Sequence, residues 1–259
     1  MDANLKRNLS DFIRSHRNDI ETRNYEKVME DMPDSFRSSL LPLFRRQGVE
    51  LLRYTNRLQA GDYDSKARVI YIPDSIQYLA TGAFKDFTDL QQVYLSNKIK
   101  IISIDCFKNC ILLKSIDFPQ GLLEIRAGAF YNSGLVSVEM PEELIVIQDG
   151  AFKDCKNLEE VYLNDSLIGM GFSAFSGCDK LKYSVIDDCQ YLGSKTNPTY
   201  CLVKILSEGA VIAKDVSLIL KQANNFDVVN YAGSPEDWTF IQKSPGWTTV
   251  TTAINYKNS

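Results

Sequence analysis

A chain of 259 residues, 44% hydrophobic and 24% charged, can bury a sizeable core and has the composition of an ordinary globular protein. Its longest purely apolar runs are about four residues, such as Leu144 to Ile147, far short of the roughly 20 that cross a bilayer. The net charge of -4 is uneven: residues 1–60 hold 11 Lys+Arg against 9 Asp+Glu, and the remainder 18 against 24. A body of charge -6 argues against nucleic acid as the main partner, because phosphate binding needs a basic footprint.

The N-terminus becomes charged again at Asp11, Arg14 and Arg17 before any stretch that could serve as a signal-peptide core, so a cytoplasmic location is expected. Residues 1–62 read as a helical head. Leu5, Leu9, Phe12, Ile13, His16 and Ile20 recur at helical spacing, and Pro33 with Asp34 or Ser35 marks a second helix running from about Ser35 to Leu58. On that helix Leu40, Phe44, Leu51 and Leu58 share one side, while Arg46, Arg53 and Arg57 fall within about 40° of one another at 100° per residue. Such a stripe is a possible second binding surface. The plainer reading is a solvated face on which Glu50 pairs with Arg46 and Arg53.

Residues 63–188 are built on a repeat. Gly82-Ala83-Phe84, Asp105-Cys106-Phe107, Gly128-Ala129-Phe130, Gly150-Ala151-Phe152 and Ser173-Ala174-Phe175 place a Phe at steps of 23, 23, 22 and 23 residues. Five residues before each Phe stand Leu79, Ile102, Ile125, Ile147 and Met170; eight before stand Ile76, Ile99, Leu122, Leu144 and Leu167. Leu90, Leu113, Leu135, Leu158 and Leu181 follow, and then the strand-like pairs Val93/Leu95, Ile116/Phe118, Val138/Met140 and Val161/Leu163. This is what one solenoid coil needs, a short strand and a return that stack like on like; single coils cannot bury these faces and five can. Val69 to Pro73 supplies the strand of an earlier half-coil.

The pattern resembles the BspA-like branch of the leucine-rich repeats, and Leu113 to Cys155 follows that branch's coil through two periods. Tyr191-Leu192-Gly193 with Asn197-Pro198, and Asn230 to Trp238, resemble the segments that end many members. The resemblance implies an α/β repeat solenoid with 22–23-residue coils, which the helical head would cap at one end and a degenerate, β-rich region at 189–259 at the other. It also implies a non-catalytic binding protein. Many members are exported surface proteins, and the charged N-terminus departs from that pattern.

Nothing else in the sequence argues for chemistry. Cys110, Cys155 and Cys178 each sit three residues after the repeat Phe and Cys106 replaces the repeat alanine, so these thiols read as small core fillers. No Cys-x-x-Cys pair is present, so no zinc site is expected, and six cysteines without a metal pattern suit a reducing compartment. Cys189 and Cys201 lie outside the ladder, and a local bridge between them stays open. A nucleophilic device would have to be built on the single histidine, His16, and no glycine-rich phosphate loop is present. No catalytic residue, cofactor or metal is expected.

The residues between the core positions of each strand are expected to form columns on an exposed sheet face. One column reads Tyr71, Tyr94, Asp117, Glu139, Tyr162 and Val185; its neighbour reads Val69, Gln92, Ser115, Ser137, Glu160 and Tyr183. Tyrosines flanking an acidic centre suit a protein partner with a basic patch. The bland reading is that cross-strand Tyr and Ser simply stabilise the sheet. A protein-binding module, with inhibition as one form of that binding, is therefore expected, with Tyr71, Gln92, Tyr94, Asp117, Glu139, Glu160, Tyr162 and Tyr183 at its surface. A host or defence factor is one form the partner could take. The competing readings are a structural or surface-attachment component, and a helical effector head targeted by the repeats.

Overall fold

The computed structural model describes residue 15, two short strands at 49–51 and 57–58, residues 64–220 apart from 73, 75 and 172, and residues 228–243 and 253–256. The expected first helix, with Leu5, Leu9, Phe12, Ile13, His16 and Ile20, falls outside the described residues apart from Ser15, as do Arg46 and Arg53.

The repeat forms a β-solenoid in which each coil contributes two short strands to two parallel ladders. In chain order these are β1 (Val49–Leu51) and β2 (Arg57–Leu58), β3 (Val69–Tyr71) and β4 (Tyr78–Leu79), and β5 (Gln92–Tyr94) and β6 (Ile101–Ile102). β7 (Glu124–Ile125), β8 (Ser137–Glu139) and β9 (Val146–Ile147), and β10 (Glu160–Tyr162) and β11 (Gly169–Met170) follow. One ladder runs β1-β3-β5, continues through a parallel bridge from Tyr94 to Asp117, and resumes as β8-β10; the other holds β2-β4 and β6-β7-β9-β11. Each strand is two or three residues long because the period leaves room for no more before the next turn.

The side of the coil opposite the strands is turn rather than helix, which corrects the α/β expectation. The reason is local. Each coil has two left-handed residues, one two positions before the repeat Phe (Gly82, Asp105, Gly128, Gly150, Ser173) and one two positions after it (Asp86, Asn109, Asn132, Asp154, Gly177), with φ between 53° and 76°. A positive φ ends a right-handed helix, and Gly, Asn and Asp are the residues that adopt it cheaply. The backbone then bonds from coil to coil: Phe107 N–H donates to Ala129 O at 2.7 Å and Phe130 N–H to Ala151 O at 2.7 Å.

Along the axis the repeat phenylalanines form a stack. Phe84, Phe107, Phe130, Phe152 and Phe175 have successive ring centroids 5.1, 5.2, 5.1 and 5.1 Å apart, with planes within 15° of parallel. The first four are fully buried and Phe175 is 8% exposed. Beside the rings, the thiols of Cys110, Cys155 and Cys178 donate to the carbonyls of Phe84, Phe130 and Phe152 at 3.1–3.2 Å. That bond explains why the position accepts Cys: a small group is needed that can satisfy the preceding coil's carbonyl. Burial pushes the Cys110 thiol up to about 12, so it remains a donor.

Strand pairing begins inside the segment that the helical spacing assigns to the second helix. Val49 pairs with Val69 and Arg57 with Tyr78, offsets of 20 and 21 residues, so the expected helix does not extend over 49–51 or 57–58. Val49, Leu51 and Leu58 satisfy both periods, and lateral pairing to β3 and β4 decides between them. Arg57 therefore lies in a strand and not on a helical face with Arg46 and Arg53.

After Leu181 the rule changes. β12 (Ser184–Ile186) and β13 (Cys189–Leu192) form an antiparallel hairpin closed by Asp187 and Asp188, both at positive φ, the two-residue turn whose twist matches a hairpin. Then come β14 (Cys201–Ile205), β15 (Val211–Ile212), β16 (Leu218–Ile219) and β17 (Val228–Tyr231), followed by a helix α1 (Pro235–Phe240), β18 (Gln242–Lys243) and β19 (Ala253–Tyr256). They form a five-stranded sheet, β12-β13-β14-β16-β18, and a three-stranded parallel one, β15-β17-β19. Helix α1 starts with a capping box, in which Ser234 and Asp237 each bond the other's backbone N–H, and with Pro235 in its first turn.

The larger of these sheets separates two cores. Leu192, Cys201, Leu218 and Leu220 join the repeat's core, whereas Cys189, Tyr191, Leu202 and Ile219 join a second core with Val229, Tyr231 and Trp238. Alternate side chains of a strand point to opposite faces, so neighbours in sequence serve different cores. Cys189 and Cys201 are among those separated in this way. Both are buried free thiols, so the bridge left open by the sequence is not formed.

Candidate functional site: the exposed ladder of the solenoid

The outward column of the β5–β10 ladder is the candidate site. Parallel pairing puts Tyr71 opposite Tyr94, Tyr94 opposite Asp117, and Glu139 opposite Tyr162. Tyr71 and Tyr94 stack at 4.3 Å with planes 7° apart. Tyr94 is half-buried and its hydroxyl accepts from the Gln92 amide at 2.5 Å, while Tyr71 is only 5% exposed. The Tyr71 ring thus lies beneath the surface that the alternation assigns to it. Asp117 is exposed and holds no ion pair among the described residues.

The other two carboxylates are engaged. Glu139 pairs with Lys195 at 2.5 Å across 56 residues of sequence, and Glu160 pairs with Lys182 at 3.1 Å while accepting from the Tyr162 hydroxyl at 3.1 Å. The hydrogen bonds from Lys182 and Tyr162 hold the Glu160 carboxyl below its usual range, and the same contact with Glu160 raises the Tyr162 phenol. Tyr162 is 45% exposed. Tyr183, last in its column, packs partly buried against the repeat's core, and burial pushes its phenol up to about 12. The column does not continue through it, because the next residues leave for the β12–β13 hairpin and Leu163 bridges Ser194 instead.

That exchange builds a feature the sequence did not reveal. The loop at 194–196 returns beside β8 and β10, and between it and the coils lies a groove of about 610 Å³ edged by Asp117, Glu139, Glu142, Asp165, Lys195 and Thr196. Hydrogen bonds from Ser194 and from Thr196, whose hydroxyl donates at 2.6 Å, hold the Asp165 carboxyl below its usual range. Under the groove, Asn164 donates to the carbonyls of Glu142 and Leu144 at 2.9 and 2.8 Å. No motif links Lys195 to Glu139, so only the path of the hairpin reveals the pair. Among the described residues no three or more His, Cys, Asp or Glu are grouped to hold a metal ion, and no helix is long and apolar enough to cross a membrane.

Short parallel strands at a 22–23-residue period, with buried Leu and Ile ladders and a phenylalanine spine, define a leucine-rich-repeat solenoid of about seven turns. Residues 77–197 match, in six copies, the family model described as the BspA type leucine rich repeat region. That stretch of the chain, 77–197, is thus a leucine-rich repeat region of the BspA type. A search of curated proteins finds no match. Among solved structures, a leucine-rich repeat protein from Bacteroides ovatus is similar at 20% identity and a TM-score of 0.50, over 77% of this chain and 58% of that one. The leucine-rich repeat protein of T. pallidum aligns at 21% identity and a TM-score of 0.41, covering 52% of this chain and 78% of its own. One from Eubacterium ventriosum aligns at 15% identity and a TM-score of 0.43, covering 87% and 66%. This chain thus spans less than two thirds of the Bacteroides ovatus protein, and the likeness establishes the fold.

Proposed function

We propose that the protein is a non-catalytic module that binds a partner protein on the exposed ladder and its adjoining groove. The observation that carries this reading is the pairing of half-buried Tyr94 with Asp117 and of exposed Tyr162 with Glu139, the two carboxylates both edging the groove. Aromatic anchors with a hydroxyl at the tip, beside a concavity edged by charge, are what a desolvated protein contact uses. Asp117 has no ion-pair partner among the described residues and provides the steering charge. Glu139 and Glu160 present carboxylates already held by lysines, so a basic patch on the partner binds by displacing Lys195 and Lys182.

In this reading the six buried free cysteines support action in a reducing compartment. Recovery of the partner from the native cell by pull-down and mass spectrometry supplies the reagent. Reversing charge at Asp117 and Glu139 then slows association and flattens its salt dependence, whereas Tyr162→Ala mainly speeds dissociation. A partner that binds both variants as the parent does sits elsewhere, and Arg46, Arg53 and Arg57 become the surface to test. Fractionation that finds the protein on the cell surface favours an attachment role instead.

A further inference from the structure

The phenylalanine stack stops abruptly. One further period after Phe175 the sequence has Pro198 rather than Phe, and the chain has left the coil for the β12–β13 hairpin. Phe152 covers one face of the Phe175 ring at 5.1 Å, and among the described residues no ring covers the other. The five-stranded sheet does not fill the place of the absent rung. Between it and the last coil lies a cavity of about 470 Å³ whose apolar walls are Phe175, Tyr183, Leu192, Val203 and Leu220, with Lys204 at the rim.

Two polar groups there are available. The Tyr183 hydroxyl makes no hydrogen bond among the described residues, although the rest of the side chain packs on the core. Lys204 is exposed and has no carboxylate partner among them; the nearby Asp179 is held by Lys156 at 2.9 Å. A flat ring seated on Phe175 would extend a stack that already repeats at 5.1 Å, and an anion on that ring would meet an uncompensated ammonium and a free phenolic donor.

We propose that this cavity is a small-molecule site for a planar aromatic carboxylate, with Phe175 stacking its ring and Lys204 and Tyr183 holding its carboxylate. The site is distinct from the exposed ladder and does not depend on it. Its volume lies within the range of ligand pockets, and its wall joins the apolar side chains to Ser173, Ser176, Asp179 and Gln190 as well as Lys204.

The test is titration of the full chain with 2-naphthoate, followed by its fluorescence, with cyclohexanecarboxylate as a non-planar competitor. Saturable 1:1 binding is expected, which excess cyclohexanecarboxylate does not displace. Val203→Phe, which places a ring in the cavity, is expected to abolish binding while the melting temperature holds or rises. Lys204→Glu weakens it about tenfold or more, the loss of a charge-assisted hydrogen bond. Absence of saturable binding to the parent overturns the proposal, as does a folded Val203→Phe chain that binds as the parent does. Displacement by cyclohexanecarboxylate removes the stacking role of Phe175 and overturns it equally. If Val203→Phe does not fold, Lys204→Glu decides: the residue is exposed, and unchanged affinity in that variant rejects the site.

Discussion

The coils from Ile76 to Leu181 and the region from Cys189 to Tyr256 bury their apolar residues by different rules. In the coils, each position is defined by its distance from a Phe, and the same residue type recurs on the next coil: Leu90, Leu113, Leu135 and Leu158 are all fully buried. In the C-terminal region, position along a strand decides, and Leu218, Ile219 and Leu220 serve two cores in turn. Translation by a fixed period gives a core that can be extended without limit. Alternation across a sheet gives a core with two sides, and that is how such an array is closed. The shared sheet means that the second core is built against the first.

The largest expected effect tests the repeating region. Phe130 has a ring on each side, at 5.2 and 5.1 Å, and Phe118 edge-on at 5.8 Å. Phe130→Ala should cost roughly 3 to 5 kcal/mol, as other buried Phe truncations do, and thermal or urea unfolding measures it. Phe175 has one stacked neighbour, so Phe175→Ala should cost less. Equal losses would mean that the stack adds nothing beyond burial.

Trp238→Ala ranks next. Its ring meets Tyr231 edge-on at 5.1 Å inside the second core. Hydrogen exchange should show faster opening of β15, β17 and α1 while β7, β9 and β11 keep their protection. Exchange that rises uniformly would show that the two regions unfold as one unit and erase the distinction drawn here. Ser234→Ala is smaller again: it removes one half of the capping box, and about 1 kcal/mol should be lost from the same region.

How far these features were legible in sequence follows from the same contrast. The Phe spine and the Leu columns are written five times over at one spacing and the buried thiols three times, so periodicity alone finds them. Two things escaped. β1 and β2 stack at offsets of 20 and 21 residues with no repeat Phe, and their Val and Leu spacing also fits a helix. The groove depends on Lys195 reaching Glu139, which a hairpin closed by Asp187 and Asp188 makes possible. Parallel pairing joins Tyr71 to Tyr94, Tyr94 to Asp117 and Glu139 to Tyr162, but Tyr71 and Tyr183 belong more to packing than to the surface, because alternation predicts direction and not what later covers the side chain.

The smallest expected effect lies at the junction of the two regions, in the Glu160–Lys182 pair. Glu160 has its pKa lowered in the fold by bonds from Lys182 and Tyr162, so its stabilising contribution is present above the unfolded value near 4.3. It is lost as pH falls through the depressed folded value. Lys182→Ala should therefore melt slightly below the parent at pH 7, and the difference should close on acidification below about pH 4. Both side chains are open to solvent, at 65% and 45% exposure, so salt should close the gap as well. A gap that persists at low pH and high salt would arise from packing of the Lys182 stem. Glu160 would then act as a carboxylate without an effective cation, like Asp117, and the acidic centre offered to a partner would be stronger at neutral pH than the ion pair allows.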